Sequence, residues 1–250
     1  MVVSIILSVL VFVHLFFLTA VLKKDFSLID IGWGLGFVLI SFVTYFHHPL
    51  SVRNALTLLV VTLWGMRLAL YIFKRGRGKG EDPRYTKLRN EWGNSANLQA
   101  YLKVFLMQGT LMLIISLPIT SGMTNKVNEL HFLNKLGLIV FTFGFVFEVY
   151  SDWYLNRFKS LSENKGKLCF TGPWSLCRFP NYFGEITLWY GIYLLNVNLN
   201  NAWSILGPIT IHFFIIKVTG VAPLERKYFL REEYQEYARR MPRMIPWTKP

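Results

Sequence analysis

Apolar stretches of about 20 residues, the length that crosses a bilayer's hydrocarbon core as helix, recur along almost the whole of this 250-residue sequence. Six are plain: residues 2–22, 28–46, 54–73, 103–120, 134–155 and 201–219. A seventh, residues 182–197, is shorter and carries Glu185. Core helices of a water-soluble bundle need polar faces, which the 2–22 and 201–219 stretches lack. The expected fold is therefore all-α and polytopic, with seven transmembrane helices. No Ser-, Pro- or Gly-rich linker divides the stretches, so one domain over residues 1–250 is expected.

The charges test this count, because Lys and Arg concentrate on the cytoplasmic side of membrane proteins. With seven spans, one side of the membrane collects 23 of the 27 Lys and Arg. Arg53, Lys126 and Lys135 remain on the other side and Arg67 lies within the third span. This sets the N-terminus outside and the C-terminus in the cytoplasm. Omitting the short 182–197 span would put the basic tail on the wrong side. Topology thus accounts for the formal charge of +13, and no separate basic domain exists to suit nucleic acid. Lys23-Lys24 follows the first apolar run instead of preceding it, so that run is expected to stay as a membrane helix and not to be cleaved as a signal peptide. Cys169 and Cys177 match no zinc or redox spacing. His47 and His48 fall on the outer side and His212 is alone in the last span, so no metal site is expected.

The polar residues of the spans gather at one level. Asp30 opens the second span, Arg67 and Tyr71 close the third, Glu148 and Asp152 close the fifth, Asn181 and Glu185 open the sixth, and Lys217 closes the seventh. Long Lys and Arg side chains can snorkel to the interface, whereas carboxylates are too short to do so well. Acids and bases meeting in one layer point to a polar pocket entered from the cytoplasm. The competing explanation is a structural ion-pair network. Glu148 and Asp152 are four residues apart, as are Asn181 and Glu185, so each pair shares a helix face.

The basic linker 156–178 is punctuated by Gly166 and by Thr171-Gly172-Pro173-Trp174. Cations beside exposed backbone N–H groups and an aromatic face suit a phosphate-bearing nucleotide. Neither G-x-G-x-x-G nor a Walker-type loop is present, and a positive-inside loop with an interfacial tryptophan is the alternative. Residues 75–85, flexible and then set by a proline turn, suit closure over a nucleotide or contact with anionic headgroups. The tail from Glu225 mixes charge with Tyr228, Tyr234 and Tyr237, and reads as a surface helix ending near Pro242.

Several of these segments together resemble a known family. They are Asp30-Ile31-Gly32-Trp33-Gly34, Gly80-Glu81-Asp82-Pro83-Arg84-Tyr85, Asp152-Trp153 with Arg157-Phe158-Lys159, the run from Leu176 through Arg178-Phe179-Pro180-Asn181-Tyr182-Phe183-Gly184-Glu185, and Ile245-Pro246-Trp247. They are similar to the bacterial membrane proteins of the DUF1295 group, which belongs with the steroid 5α-reductase-like superfamily. That superfamily also holds the sterol C14-reductases and is related to the isoprenylcysteine carboxyl methyltransferases. The resemblance implies a bacterial inner-membrane reductase that takes NADPH from the cytoplasm and a hydrophobic, lipid-like substrate from the bilayer. It implies cofactor contacts from Asn181, Tyr182 and Glu185, from Asp152 with Glu148, from Arg157, Lys159 and Arg178, and from Glu225, Tyr228 and Tyr237, within a cofactor-binding half at about 134–250. Trp174 joins them as the aromatic face of the linker. Asp30 and Tyr71 occupy the places of the acid and tyrosine that hold a substrate carbonyl in the steroid reductases. Relatives commonly carry histidine where this chain has Phe179, which cannot donate, accept or titrate. S-adenosylmethionine-dependent methyl transfer and non-catalytic lipid binding are the alternative functions.

Overall fold

The computed structural model describes residues 1–48, 50–124, 129–246 and 248, so Lys126, Trp247 and Lys249 lie outside the described residues. Every regular element among them is helical. Six helical runs are long and apolar enough to cross a membrane: α1 (Val2–Lys23), α2 (Leu28–His47), α3 (Val52–Gly76), α4 (Pro83–Gly122), α5 (Phe132–Ser160) and α7 (Ala202–Tyr228). The short seventh stretch forms α6 (Pro180–Asn196), a helix of 17 residues. A last helix, α8 (Glu232–Arg240), follows. Large apolar side chains such as Val3, Leu7, Val11, Leu15 and Leu22 stand exposed along α1, as suits a helix whose solvent is lipid.

The chain forms two compact units, residues 1–134 with 196–207, and residues 135–195 with 208–250. In the first, α2 and α3 meet at Gly34 and Gly65, where a Cβ added to Gly65 would lie 2.5 Å from the Gly34 carbonyl oxygen. Arg53, 2% exposed, donates to the Gly122 carbonyl, and Asn54 donates to that of Met123 at 3.1 Å. These side chains thus serve carbonyls that the end of α4 leaves without helical partners. Arg53 is a buried cap and not a loop cation. At the other end of α4, Asp82 accepts from the Arg84 backbone N–H at 2.9 Å and Pro83 opens the helix. Gly78 and Gly80, with φ of 77° and 72°, make the turn that precedes this cap. The helix therefore starts some twenty residues before the expected apolar span at 103, and a π-helical turn at Tyr101–Leu106 joins its polar and apolar parts.

In the second unit, α5 and α6 approach backbone to backbone along a seam of four glycines. A Cβ on Gly144 would lie 2.5 Å from the Leu188 nitrogen and 2.7 Å from the Gly184 carbonyl oxygen. One on Gly184 would lie 2.6 Å from the Glu148 nitrogen. Gly137 and Gly191 meet in the same way two turns along. Helices in lipid gain little from hydrophobic burial against each other, so close approach through small residues supplies the packing.

Replacing Gly184 with leucine should force α5 and α6 apart. A destabilisation of roughly 1–3 kcal/mol is expected for such overpacking, read as a lower melting temperature in detergent. Gly76→Ala, at a position with nothing within 4 Å of the added Cβ, should leave the melting temperature unchanged.

Candidate functional site

The glycine seam decides which polar groups meet. Because Gly184 rests against the backbone of Glu148, the start of α6 lies beside the last turns of α5. One turn further, the Asn181 amide donates to Asp152 Oδ1 at 3.4 Å. Glu148 and Asp152 are 2% and 6% exposed, so Asp152 acts from beneath the surface as the support of Asn181. Glu185 follows one turn along α6 and is half-buried.

Between α5 and α6 the linker folds back on itself. Tyr154 donates to Thr171 Oγ1 at 2.9 Å, and its ring lies so close to Gly172, at φ 60°, that a side chain there would collide with it. Asn164 donates to the Phe158 carbonyl at 3.0 Å. The linker, the start of α6, the end of α7 and α8 enclose a cleft of about 400 Å³. Lys159, Lys165, Lys167, Arg178, Lys227 and Arg231 line it, and among the described residues no carboxylate does. Trp174, Phe179, Tyr182 and Tyr228 supply aromatic walls. Phe179 is stacked on Tyr182, with ring centroids 6.1 Å apart. Near this wall α7 turns through π-helical Phe214–Thr219 to Gly220, where a Cβ would lie 3.0 Å from the Tyr182 ring.

The C-terminal tail closes the cleft from behind. Glu225 pairs with Arg178 at 2.8 Å and with Arg243 at 2.6 Å, and the Arg178 backbone N–H donates to the Pro242 carbonyl at 2.9 Å. The Tyr237 hydroxyl donates to the carbonyls of Trp174 and Cys177, at 2.5 and 3.3 Å. Arg231 donates to the Gly166 carbonyl at 3.0 Å. Burial pushes the Tyr234 hydroxyl up to about 12 and raises Tyr237 above its ordinary range as well. Both stay protonated at neutral pH, so the cleft presents fixed cations, neutral hydroxyls and aromatic faces to its contents.

Of the residues expected to bind a cofactor, Lys159, Trp174, Arg178, Asn181, Tyr182, Tyr228 and Tyr237 line this one cleft. Asp152 stands behind Asn181, and Glu225 is the clamp between two arginines. Arg157 faces a second hollow, with its guanidinium 5.6 Å from the Trp153 ring centre. In the first unit, Asp30 accepts from Tyr85 at 2.6 Å and from Arg84 at 2.8 Å. The hydroxyl on Asp30 is thus that of Tyr85, while the ring of Tyr71 lies near Arg67 and Arg75, at 5.9 and 5.5 Å. Lys227, Arg231 and Tyr234 belong to the cleft although the tail reads locally as a surface helix. Their signal in the sequence is the four-residue spacing of Lys227 and Arg231 with tyrosines interleaved.

Residues 16–241 match the model of a family described as protein of unknown function (DUF1295). No curated protein and no solved structure matches the chain.

The cleft's rear wall should show in the pH dependence of stability. Burial pushes the Cys177 thiol up to about 11 from its ordinary 9.0, and Tyr234 up to about 12 from 10.0. A raised acid favours the protonated, folded form, so its contribution is whole below the unfolded value and is lost as pH rises through the folded one. Melting temperature should therefore fall between about pH 9 and 12. Cys177→Ala should remove the onset of that fall between about pH 9 and 10, where the thiol titrates ahead of the tyrosine, and leave the tyrosine part between about pH 10 and 12; a profile identical to the parent's would contradict this assignment.

Proposed function

The chain belongs to the DUF1295 family, and from that premise we propose that it is a membrane-embedded, NADPH-dependent reductase acting on the double bond of a lipid-like, steroid- or enone-type substrate. The observation that carries this reading is the cleft of the second unit, lined by six cations and, among the described residues, by no carboxylate. Such a lining suits a ligand with several phosphates. Its volume of about 400 Å³ is that of a small-molecule site. The resemblance to the steroid 5α-reductase-like superfamily supports the same reading, with seven spans, the N-terminus outside and the cleft open to the cytoplasm of a bacterial inner membrane.

When bound, the nicotinamide cofactor supplies a hydride. The chain's own part is binding and orientation. Lys165, Lys167 and Lys227 would hold phosphate charge, while Arg178, paired with Glu225, and Arg231, paired with Glu233, would bring a weaker net field. Asn181, fixed by Asp152, offers its remaining amide donor and its carbonyl acceptor to the ligand. Trp174, Tyr182 and Tyr228 give flat faces for a base or sugar. Phe179 makes one wall apolar and carries no proton. Asp30, engaged by Arg84 and Tyr85, is here the tie between α2 and the start of α4.

S-adenosylmethionine has a sulfonium, an ammonium and no phosphates, so a cleft lined by cations is a poor match for it. Melting temperature of detergent-purified protein with NADPH, NADH and S-adenosylmethionine separates the readings, because a ligand held only by the folded state stabilises it, by about 2.7 kcal/mol at a hundredfold excess over Kd. NADPH should raise the melting temperature most, and Asn181→Ala or Lys227→Ala with Arg231→Ala should diminish the rise. Stabilisation by S-adenosylmethionine alone would overturn the reductase reading in favour of methyl transfer. No response to any of the three would leave lipid binding without a cofactor.

A further inference from the structure

Away from the cleft, the second unit holds a polar pair deep within its membrane-crossing helices. The hydroxyl of Tyr190 on α6 lies 3.2 Å from His212 Nδ1 on α7, and the two rings meet edge to face at 6.0 Å and 86°. Tyr190 lies ten residues from the start of α6 and six from its end, or about 15 and 9 Å at roughly 1.5 Å per residue. His212 lies ten residues into α7, again far from either end. An ionisable side chain at such depth is costly and marks a functional site by default.

The hydrogen-bond inventory shows what is left over. A neutral imidazole carries one donor and one acceptor. The Tyr190 hydroxyl engages one ring nitrogen, and among the described residues no hydrogen bond reaches the other. A tie between α6 and α7 needs only the first nitrogen, so a purely structural role leaves the second as desolvation cost without return. Both residues are half-buried, and the neighbouring α7 residues Ile209 and Phe213 are exposed apolar side chains. Tyr193, one turn beyond Tyr190, adds a phenol to the same face of α6. The result is a polar spot at mid-depth, flanked by apolar surface and open on one side.

We propose that Tyr190 and His212 form an intramembrane binding site for the oxygen of a bilayer-dissolved lipid, a ketone or hydroxyl carried on a large apolar body such as a sterol's. With the tyrosine hydroxyl donating to Nδ1, Nε2–H donates to that oxygen while the body packs against Ile209 and Phe213. The site is distinct from the cleft; the choice of a sterol-like body rests on the proposed substrate class, and labelling without any cofactor tests the site apart from the reductase reading.

A diazirine-bearing cholesterol, photolysed with the full-length protein in phospholipid nanodiscs and mapped by mass spectrometry, tests this. Labelling is expected on α6 and α7 around Tyr190 and His212, competed by cholesterol or cholest-4-en-3-one but not by oxygen-free cholestane. His212→Phe, which keeps the apolar bulk, should lower site labelling roughly tenfold, the scale of one lost hydrogen bond. His212→Gln should restore much of it, since its amide still donates, and Tyr190→Phe should lower it even if His212→Phe proves unstable. Equal competition by cholestane, or labelling unchanged in both phenylalanine variants, would reduce the site to a greasy surface and overturn the proposal. Displacement by added diacylglycerol as effective as that by cholesterol would assign the spot to ordinary bilayer lipid and overturn it equally.

Discussion

The contact on which the second unit depends is the approach of α5 and α6 through Gly137, Gly144, Gly184 and Gly191. The glycines are spaced by seven on each helix, two turns, so they face one another repeatedly along an antiparallel pair. Each glycine inside a helix costs about 1 kcal/mol relative to alanine, and here backbone packing offsets that cost. The same spacing fixes register. With Gly184 against Glu148, Asn181 can meet only the last turns of α5, where Asp152 stands. A bulkier seam would move Asn181 away from its support and take the linker, hung between the two helix ends, with it.

The electrostatics follow from where that linker and the tail are tied. Basic residues in a membrane protein need no ligand to explain them, because topology alone gathers them on one side. What distinguishes this chain is that linker and tail cations line a common cleft, while Glu225 is held between Arg178 and Arg243 and Glu233 pairs with Arg231. The clamp draws the tail onto the start of α6 and occupies the Glu225 carboxylate with Arg178 and Arg243. Tyr237 reinforces the arrangement, its single hydroxyl proton shared between the carbonyls of Trp174 and Cys177.

The apolar spans were legible in the sequence because a bilayer admits few solutions, and all seven stretches are helical. The ends were less so. α4 begins at Pro83 because Asp82 and Pro83 cap it, a local signal that hydropathy does not carry. Arg53 reads as a loop cation, yet it reaches the end of α4, a contact 69 residues away in sequence that no local pattern reveals. The hydroxyl that reaches Asp30 is that of Tyr85 for the same reason: the turn at Gly78 and Gly80 brings it back, whereas the resemblance to the steroid reductases points to Tyr71 as its companion at a substrate carbonyl. The tail reads locally as one surface helix, but it breaks between Tyr228 and Glu232, and that break turns Arg231 and Tyr234 towards the linker. Residue types at the site were thus readable, and their partners across long sequence separations were not.

The central claim is that the cleft of the second unit binds a nucleotide through its phosphates. Isothermal titration of NADPH into the protein in nanodiscs, repeated over a range of salt concentration, measures this directly. The account predicts one site per chain whose affinity falls steeply as salt rises, because fixed cations and phosphate charge dominate the interaction. It predicts a shallower salt dependence once Lys227 and Arg231 are both replaced by glutamine. Absence of binding at low salt, or an affinity indifferent to salt, would contradict it.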